Sequence, residues 1–339
     1  MRIGQNPSKS GIQAFHPQKL GVALVTYIPS QDGYFANVLE IFKIQVASLR
    51  QNTVEPFDLL VFDNGSCADV QDALRVMQAE GQIEWLFLSI VNLGKTGALN
   101  WILSAMPNEW VCYSDSDVYF RKGWESASRE LLETFPAAGV VSAQPSFFEN
   151  LKEESVALKQ AQSKGYKVSA ALPETWITKE YATGLGAGEK QNQGLLEKEL
   201  PLVHDLAGNP RAYAGACHMQ FLARRERLQQ ILPLPSQFAL STEEDREFDS
   251  RIDRKGWLRL STLTPYVVHM GNQLNESLLK EIESLVLDTS AIKKNSQSLS
   301  HKNNFAWKLL VKLNQISFMR RLFRRLYMNL FEYYSIEKK

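Results

Sequence analysis

Residues 110 to 120 read WVCYSDSDVYF, an apolar run with strand character that ends in two aspartates separated by one serine. Side chains two apart on a strand point to the same face, so the Asp115 and Asp117 carboxylates would face whatever lies beyond the strand end. Two anions so placed repel each other unless a cation joins them. Hard divalent ions such as Mn²⁺ or Mg²⁺ take oxygen ligands and complete their shells with substrate phosphates. The alternative is a solvated turn or a helix cap, and the tripeptide alone does not separate the two readings.

The elements that would position these acids are legible upstream. LGVALVTY (20–27) reads as a buried parallel strand. A helical pattern follows through Phe35, Val38, Leu39, Phe42, Val46 and Leu49. FDLLVFDNGS predicts a second strand running into a turn, and a helix is expected from Val70 to Glu80. IEWLFLSI predicts a third strand, NLGKTGALNWILSAM a turn and helix, and EWVCYSD the fourth strand. Alternation of this kind predicts a doubly wound α/β sheet, which binds ligands at the carboxyl ends of its strands. Tyr27, Asp63, Asn92 and Asp115 all fall at such ends.

The order VTY, DNGS, NLGKTGALN, DSD over residues 20 to about 125 resembles glycosyltransferase family 2. The resemblance resumes at AYAGACHMQFLARRE, STEEDREFDSRIDRKGW and TPYVVHMGN, roughly 212 to 272. It implies a GT-A fold, a Rossmann-like mixed sheet flanked by helices, and metal-dependent inverting transfer from a nucleotide-sugar. It further implies that Thr26 and Tyr27 flank the base and that Asp63 accepts a hydrogen bond from a pyrimidine imide, which points to a UDP-sugar. An Asx turn made by Asp63-Asn64-Gly65 is the local alternative, and both can hold at once. Asn92, Gly94 and Asn100 match the family pattern beside the nucleotide. Leu99 stands where the family often has arginine, and Lys95 is a candidate replacement on the phosphates.

By the same resemblance Asp245 is the expected general base, with Glu244 supporting it or orienting the acceptor. The plainer reading makes both helix-start acids, which the helix dipole favours. Asp117 is the expected direct metal ligand, Asp115 its partner toward the ribose or a metal-bound water, and His269 a third ligand after the apolar TPYVV. His218 lines the acceptor site or is a core histidine. Trp176 offers a sugar an aromatic face or is a buried anchor.

The expected organisation is a polar tail (1–18), a nucleotide-sugar half (19–145) and an acceptor half (146–272) with a mobile glycine-rich insert near 183–194. A helix and polar linker (273–304) and a basic amphipathic helix (305–339) follow. Residues 305–334 could lie on an anionic membrane surface or pack on the protein or a partner. The net charge of +1 predicts no general attraction to nucleic acid. Three cysteines without metal-ligand spacing suit a reducing cytosol. With no apolar leader and no spanning segment, the expected location is cytoplasmic, or peripheral on the cytoplasmic face of a membrane. The expected partners are a nucleotide-sugar and a glycan or lipid-linked acceptor. Two rivals remain: a non-catalytic nucleotide- or glycan-binding relative, and a phosphatase of the aspartate-nucleophile type, whose opening motif Asp115-Ser116-Asp117-Val118 resembles although it normally follows the first strand.

Overall fold

The computed structural model describes residues 16–148, 156–186, 189–235, 242–274 and 276–285. All lie in the first of two units into which the chain divides, 1–287 and 288–339. The expected basic helix at 305–334 and most of the expected tail at 1–18 lie outside the described residues.

The amino-terminal half alternates as its hydrophobic runs predict: β1 (Leu20–Thr26), α1 (Val38–Asn52), β2 (Phe57–Asp63), α2 (Ala68–Ala79), β3 (Trp85–Leu88), α3 (Gly94–Ala105) and β4 (Trp110–Asp115). There follow β5 (Val118–Phe120), α4 (Trp124–Thr134), β6 (Ala138–Ser142), α5 (Val156–Ser163), β7 (Val168–Ala171), α6 (Thr175–Gly184) and α7 (Glu189–Leu196). The remainder is β8 (Leu200–His204), β9 (Pro210–Ala214), β10 (Gln220–Arg224), α8 (Arg225–Ile231), α9 (Thr242–Arg254), β11 (Leu258–Ser261), β12 (Val267–His269) and α10 (Glu276–Ile282).

Ten strands form one mixed sheet in the order β3-β2-β1-β4-β10-β6-β11-β9-β8-β7. The first four are parallel, with Thr26 opposite Asp63 and Val25 opposite Asp115, so their carboxyl ends are level. Both faces are covered. Val22, Leu24, Leu59 and Val61 pack with α1 and α2, while Ala23, Leu60 and Phe62 pack with α3. Two-sided burial is why these strands read as continuous apolar runs.

A stripe on α1 that the apolar pattern conceals holds the paired aspartates in place. Gln45, Ser48 and Asn52, spaced three and four apart, share one helical face and are buried. Gln45 donates to Ser114 Oγ (3.0 Å) and to the Asp115 carbonyl (2.6 Å). Ser48 Oγ accepts the Phe120 N–H (3.1 Å), and Asn52 donates to the Phe120 carbonyl (2.8 Å). Buried backbone groups without partners are costly, so the stripe fixes both ends of the β4–β5 turn. Gln45→Leu should lower stability by about 1–3 kcal/mol, because it strips a buried donor from two acceptors. Chemical denaturation checks this, and an unchanged midpoint would mean the turn holds itself.

The expected insert near 183–194 falls across the end of α6 and most of α7, with residues 187–188 outside the described residues. Ile177 and Tyr181, one turn apart, bury α6 in a satellite core with Leu200, Tyr213 and Cys217. Tyr181 stacks on Phe147 at 4.4 Å. Tertiary burial of that apolar face supports a helix as short as α6.

Candidate active site

At the carboxyl end of β2, Asp63 is fully buried, and its carboxylate accepts the Ser66 N–H (3.2 Å to each oxygen) and Gln71 Nε2 (2.8 Å). The turn expected of Asp-Asn-Gly is therefore present. Asn64, which the motifs do not single out as a site residue, joins the loops that follow β2 and β3. Its Oδ1 accepts the Leu93 N–H (2.8 Å) and its amide donates to Asn92 Oδ1 (3.0 Å). Asn92 Oδ1 in turn accepts the Gly94 N–H at 2.8 Å. Gly65 allows this contact, since its φ is +91° and a Cβ there would lie 3.0 Å from the Val91 carbonyl carbon. Thr26 is buried with no partner for its hydroxyl, and Tyr27 beside it is exposed.

Lys95, in the first turn of α3, reaches into a cavity also lined by Asp115, His218, Asp245 and His269. Its Nζ lies 3.4 Å from Asp115 and 3.9 Å from Asp245. Burial works against the ammonium, but the carboxylates of Asp115, Asp245 and Glu244 outweigh it and raise its pKa above the ordinary lysine value. Asp115 Oδ1 also accepts the Tyr113 hydroxyl at 2.6 Å. Burial and that carboxylate keep the phenol protonated, well above its usual pKa.

Asp117 takes a different partner. Its Oδ2 lies 3.0 Å from His269 Nε2, and Oδ1 is buried without a hydrogen-bond partner. The pair forms because β12 and β5 make a two-stranded antiparallel sheet with His269 opposite Val118. His269 Nδ1 lies 2.8 Å from the Gly184 carbonyl, which can only accept, so Nδ1 carries a proton and Nε2 is turned to the carboxylate. Burial opposes the imidazolium, yet Asp117 and the Gly184 carbonyl push its pKa up to about 9.

An orphaned carboxylate oxygen beside an imidazole nitrogen, with the other ring nitrogen backed by a carbonyl, fits a divalent cation. Asp115, engaged by Lys95 and Tyr113, is not gathered with them. Among the described residues no three His, Cys, Asp or Glu side chains cluster closely enough to hold a metal ion.

Across the cavity, α9 presents Glu244, which is buried, and Asp245. Asp245 Oδ2 lies 3.9 Å from His218 Nδ1. One turn on, Asp249 holds His218 Nε2 at 2.9 Å and is itself held by Arg259 at 2.8 Å. Burial lowers the His218 pKa, but Asp249 outweighs it and the net shift is upward. His218 is thus a cavity-lining group with a charged partner, neither of which single-residue spacing reveals.

Two candidates fall outside this arrangement. Asn100 commits its whole amide to Leu234, donating to the carbonyl and accepting the N–H at 2.7 Å each, so it clamps the segment after α8 instead of facing a nucleotide. Trp176 is neither a buried anchor nor a wall of the cavity. It is 46% exposed, with Nε1 on Glu174, because α6 turns Ile177 and Tyr181 inward instead. The enclosed volume, about 170 Å³, is below the roughly 300–1,000 Å³ usual for a whole ligand. It suits part of a ligand, the remainder lying along the open strand ends.

Residues 37–188 match the sequence model of Glycosyl transferase family 2. Over that span, somewhat under half of the chain, the sequence is similar to family 2 glycosyltransferases. The matched span takes in Asp63, Asn92, Gly94, Lys95, Asn100, Asp115 and Asp117, and runs well past the last amino-terminal motif to the end of α6. Thr26, Tyr27, His218, Glu244, Asp245 and His269 lie outside it. No curated protein matches the chain.

Among solved structures the chain is similar to the mannosyltransferase PcManGT from Pyrobaculum calidifontis in complex with GDP-Man and Mn²⁺, at 14% identity and TM-score 0.42 over 74% of this chain and 58% of that one. It is similar to GalNAc-T7 with UDP, GalNAc and Mn²⁺, at 11% identity and TM-score 0.46 over 75% of this chain and 44% of that one. A third similarity is to S. aureus TarS 1-349, at 12% identity and TM-score 0.41 over 87% of this chain and 79% of that one. The chain spans about half the length of the first two. Its mixed sheet with helices on both faces is the α/β arrangement that the hydrophobic runs predict.

Proposed function

We propose that this protein transfers a sugar from a nucleotide-sugar, with a UDP-sugar as first candidate, to a hydroxyl of a glycan or lipid-linked acceptor with inversion at the anomeric carbon. The observation that carries this is one cavity at the level strand ends. It joins Lys95 and Asp115 from the nucleotide half to Asp245 and His269 from the other half. The base and ribose would lie over Thr26, Tyr27 and the Asp63 loop, and the diphosphate would lie toward Lys95 and the Asp117–His269 pair.

Asp117 and His269 would hold the cation, Mn²⁺ or Mg²⁺. When bound, that cation neutralises charge on the departing diphosphate. Lys95 adds a fixed positive charge beside the same phosphates. Asp245, on the far side of the cavity, would take the proton of the acceptor hydroxyl as the hydroxyl attacks opposite the leaving group, with Glu244 behind it. His218 lines the wall where that acceptor would enter. The phosphatase reading is disfavoured because Asp115 and Asp117 follow the fourth strand, and Lys95 and Tyr113 engage Asp115.

The site of action would be the cytoplasm or the cytoplasmic face of a membrane, with residues 305–334 as the contact. Among the described residues no helix is long and apolar enough to cross a membrane. Vesicle flotation of the full chain and of one ending near residue 300 tests that contact, and equal flotation removes it.

Calorimetric titration of UDP, GDP, CMP and their sugar conjugates, with and without Mn²⁺, tests the whole reading. Cation-dependent binding of one nucleotide class is the expected result. Absence of binding by every nucleotide would overturn it.

A further inference from the structure

Arg121 is the residue after β5, four beyond Asp117, and its side chain is only 21% exposed. Its Nε and Nη2 donate to the two Glu281 oxygens on α10 (2.8 and 2.6 Å). Nη1 and Nη2 donate to the two Glu180 oxygens on α6 (3.0 and 2.7 Å), and Nη1 also reaches the Pro265 carbonyl (3.2 Å). Its backbone N–H donates to the Tyr266 carbonyl at 2.8 Å, just before β12. A planar guanidinium engaged on both edges fixes orientation in a way a lysine ammonium cannot.

Glu180 lies one helical turn before Gly184 on α6. Gly184 is the residue whose carbonyl accepts the His269 Nδ1 hydrogen bond, and a Cβ on it would come within 3.1 Å of the His269 carbonyl oxygen. The helix therefore approaches the histidine backbone directly. Besides the His269–Gly184 contact, Arg121 is a polar tie between that helix and the β5–β12 pair: it joins the pair at the Phe120–Val267 end, while Asp117 and His269 lie together at the opposite, Val118–His269 end.

We propose that Arg121, through Glu180, is a positioning residue for the cation site: it sets the height of α6, and hence the Gly184 carbonyl that aims His269 Nε2 at the Asp117 side of the cation. This rests on the metal-dependent transferase reading. Partners that orient a metal-binding histidine through its second nitrogen contribute roughly 10- to 100-fold in metal affinity. Glu281 grips the same guanidinium, and among the hydrogen bonds and ion pairs of the described residues it makes none to α6 or His269, so its loss should leave the cation site close to native.

The test is Mn²⁺ alone, titrated into the full chain and followed by the electron paramagnetic resonance of the free ion, for the native protein, Arg121→Met, Glu180→Gln and Glu281→Gln. Each variant is also melted to confirm a cooperative transition. Roughly 10- to 100-fold weaker Mn²⁺ binding in Arg121→Met, roughly tenfold in Glu180→Gln and near-native binding in Glu281→Gln is the expected pattern. Should Arg121→Met not fold, the contrast between the two glutamate variants decides.

Native affinity in a folded Arg121→Met or in Glu180→Gln overturns the inference. Equal weakening in Glu281→Gln shows general loosening and overturns it too. If the native chain binds nucleotide-sugars but no Mn²⁺, the cation pair and this inference fall while the transferase reading stands. If it binds neither, both fall.

Discussion

Asp245→Asn should lower turnover by about 10²- to 10⁴-fold, or about 3–5 kcal/mol of transition-state stabilisation, with donor affinity close to native. The amide keeps the size and the hydrogen-bonding edge of the carboxylate but cannot take a proton. Both named polar neighbours of Asp245, Lys95 and His218, stand at 3.9 Å, beyond hydrogen-bond distance, so neither holds an oxygen that an acceptor hydroxyl would need. Lys95 would lose one of its three anionic supports and keep Asp115, the larger. Donor consumption measured beside calorimetric donor binding separates the two effects. Near-native turnover would refute Asp245 as the base, and loss of donor binding would make it a structural acid.

Asp117→Asn should abolish the dependence of nucleotide binding on Mn²⁺ and most transfer with it. The loss of metal affinity should be at least as large as the roughly 10- to 100-fold expected for groups that only orient a ligand. The reason lies in the two oxygens. Oδ2 faces His269 at 3.0 Å, and Oδ1 is buried without a hydrogen-bond partner, which leaves it available to a cation. Titrating the best-binding nucleotide into native and Asp117→Asn chains, each with and without Mn²⁺, reads the effect. If the variant still responds to the ion, the cation sits elsewhere, with Asp115 the next candidate.

These residues also show what a sequence reading can reach. The four parallel strands and the helices between them are legible because each carries its own periodic signal: continuous apolar runs where both sheet faces are covered, and turn-forming residues where strands end. The same signals put Asp63 and Asp115 at strand ends, and the parallel register makes those ends level. Asn100 and Trp176 mislead because a residue's place in a motif does not say where its side chain points. The amide of Asn100 satisfies a buried backbone segment 134 positions away, and burial of Ile177 and Tyr181 leaves Trp176 outside.

The chain alone thus determined the class of the nucleotide half, the polar strand ends and the acids and histidines available for chemistry, because local patterning and residue type encode these. Only the tertiary structure decided how they pair. His269 goes to Asp117 through the β5–β12 register, Lys95 goes between Asp115 and Asp245, and His218 goes to Asp249. Gln45, Ser48 and Asn52 turn inward to hold the aspartate turn. These pairings join residues far apart in sequence, and the free energy that selects among them comes from burying polar groups only where a partner is already waiting.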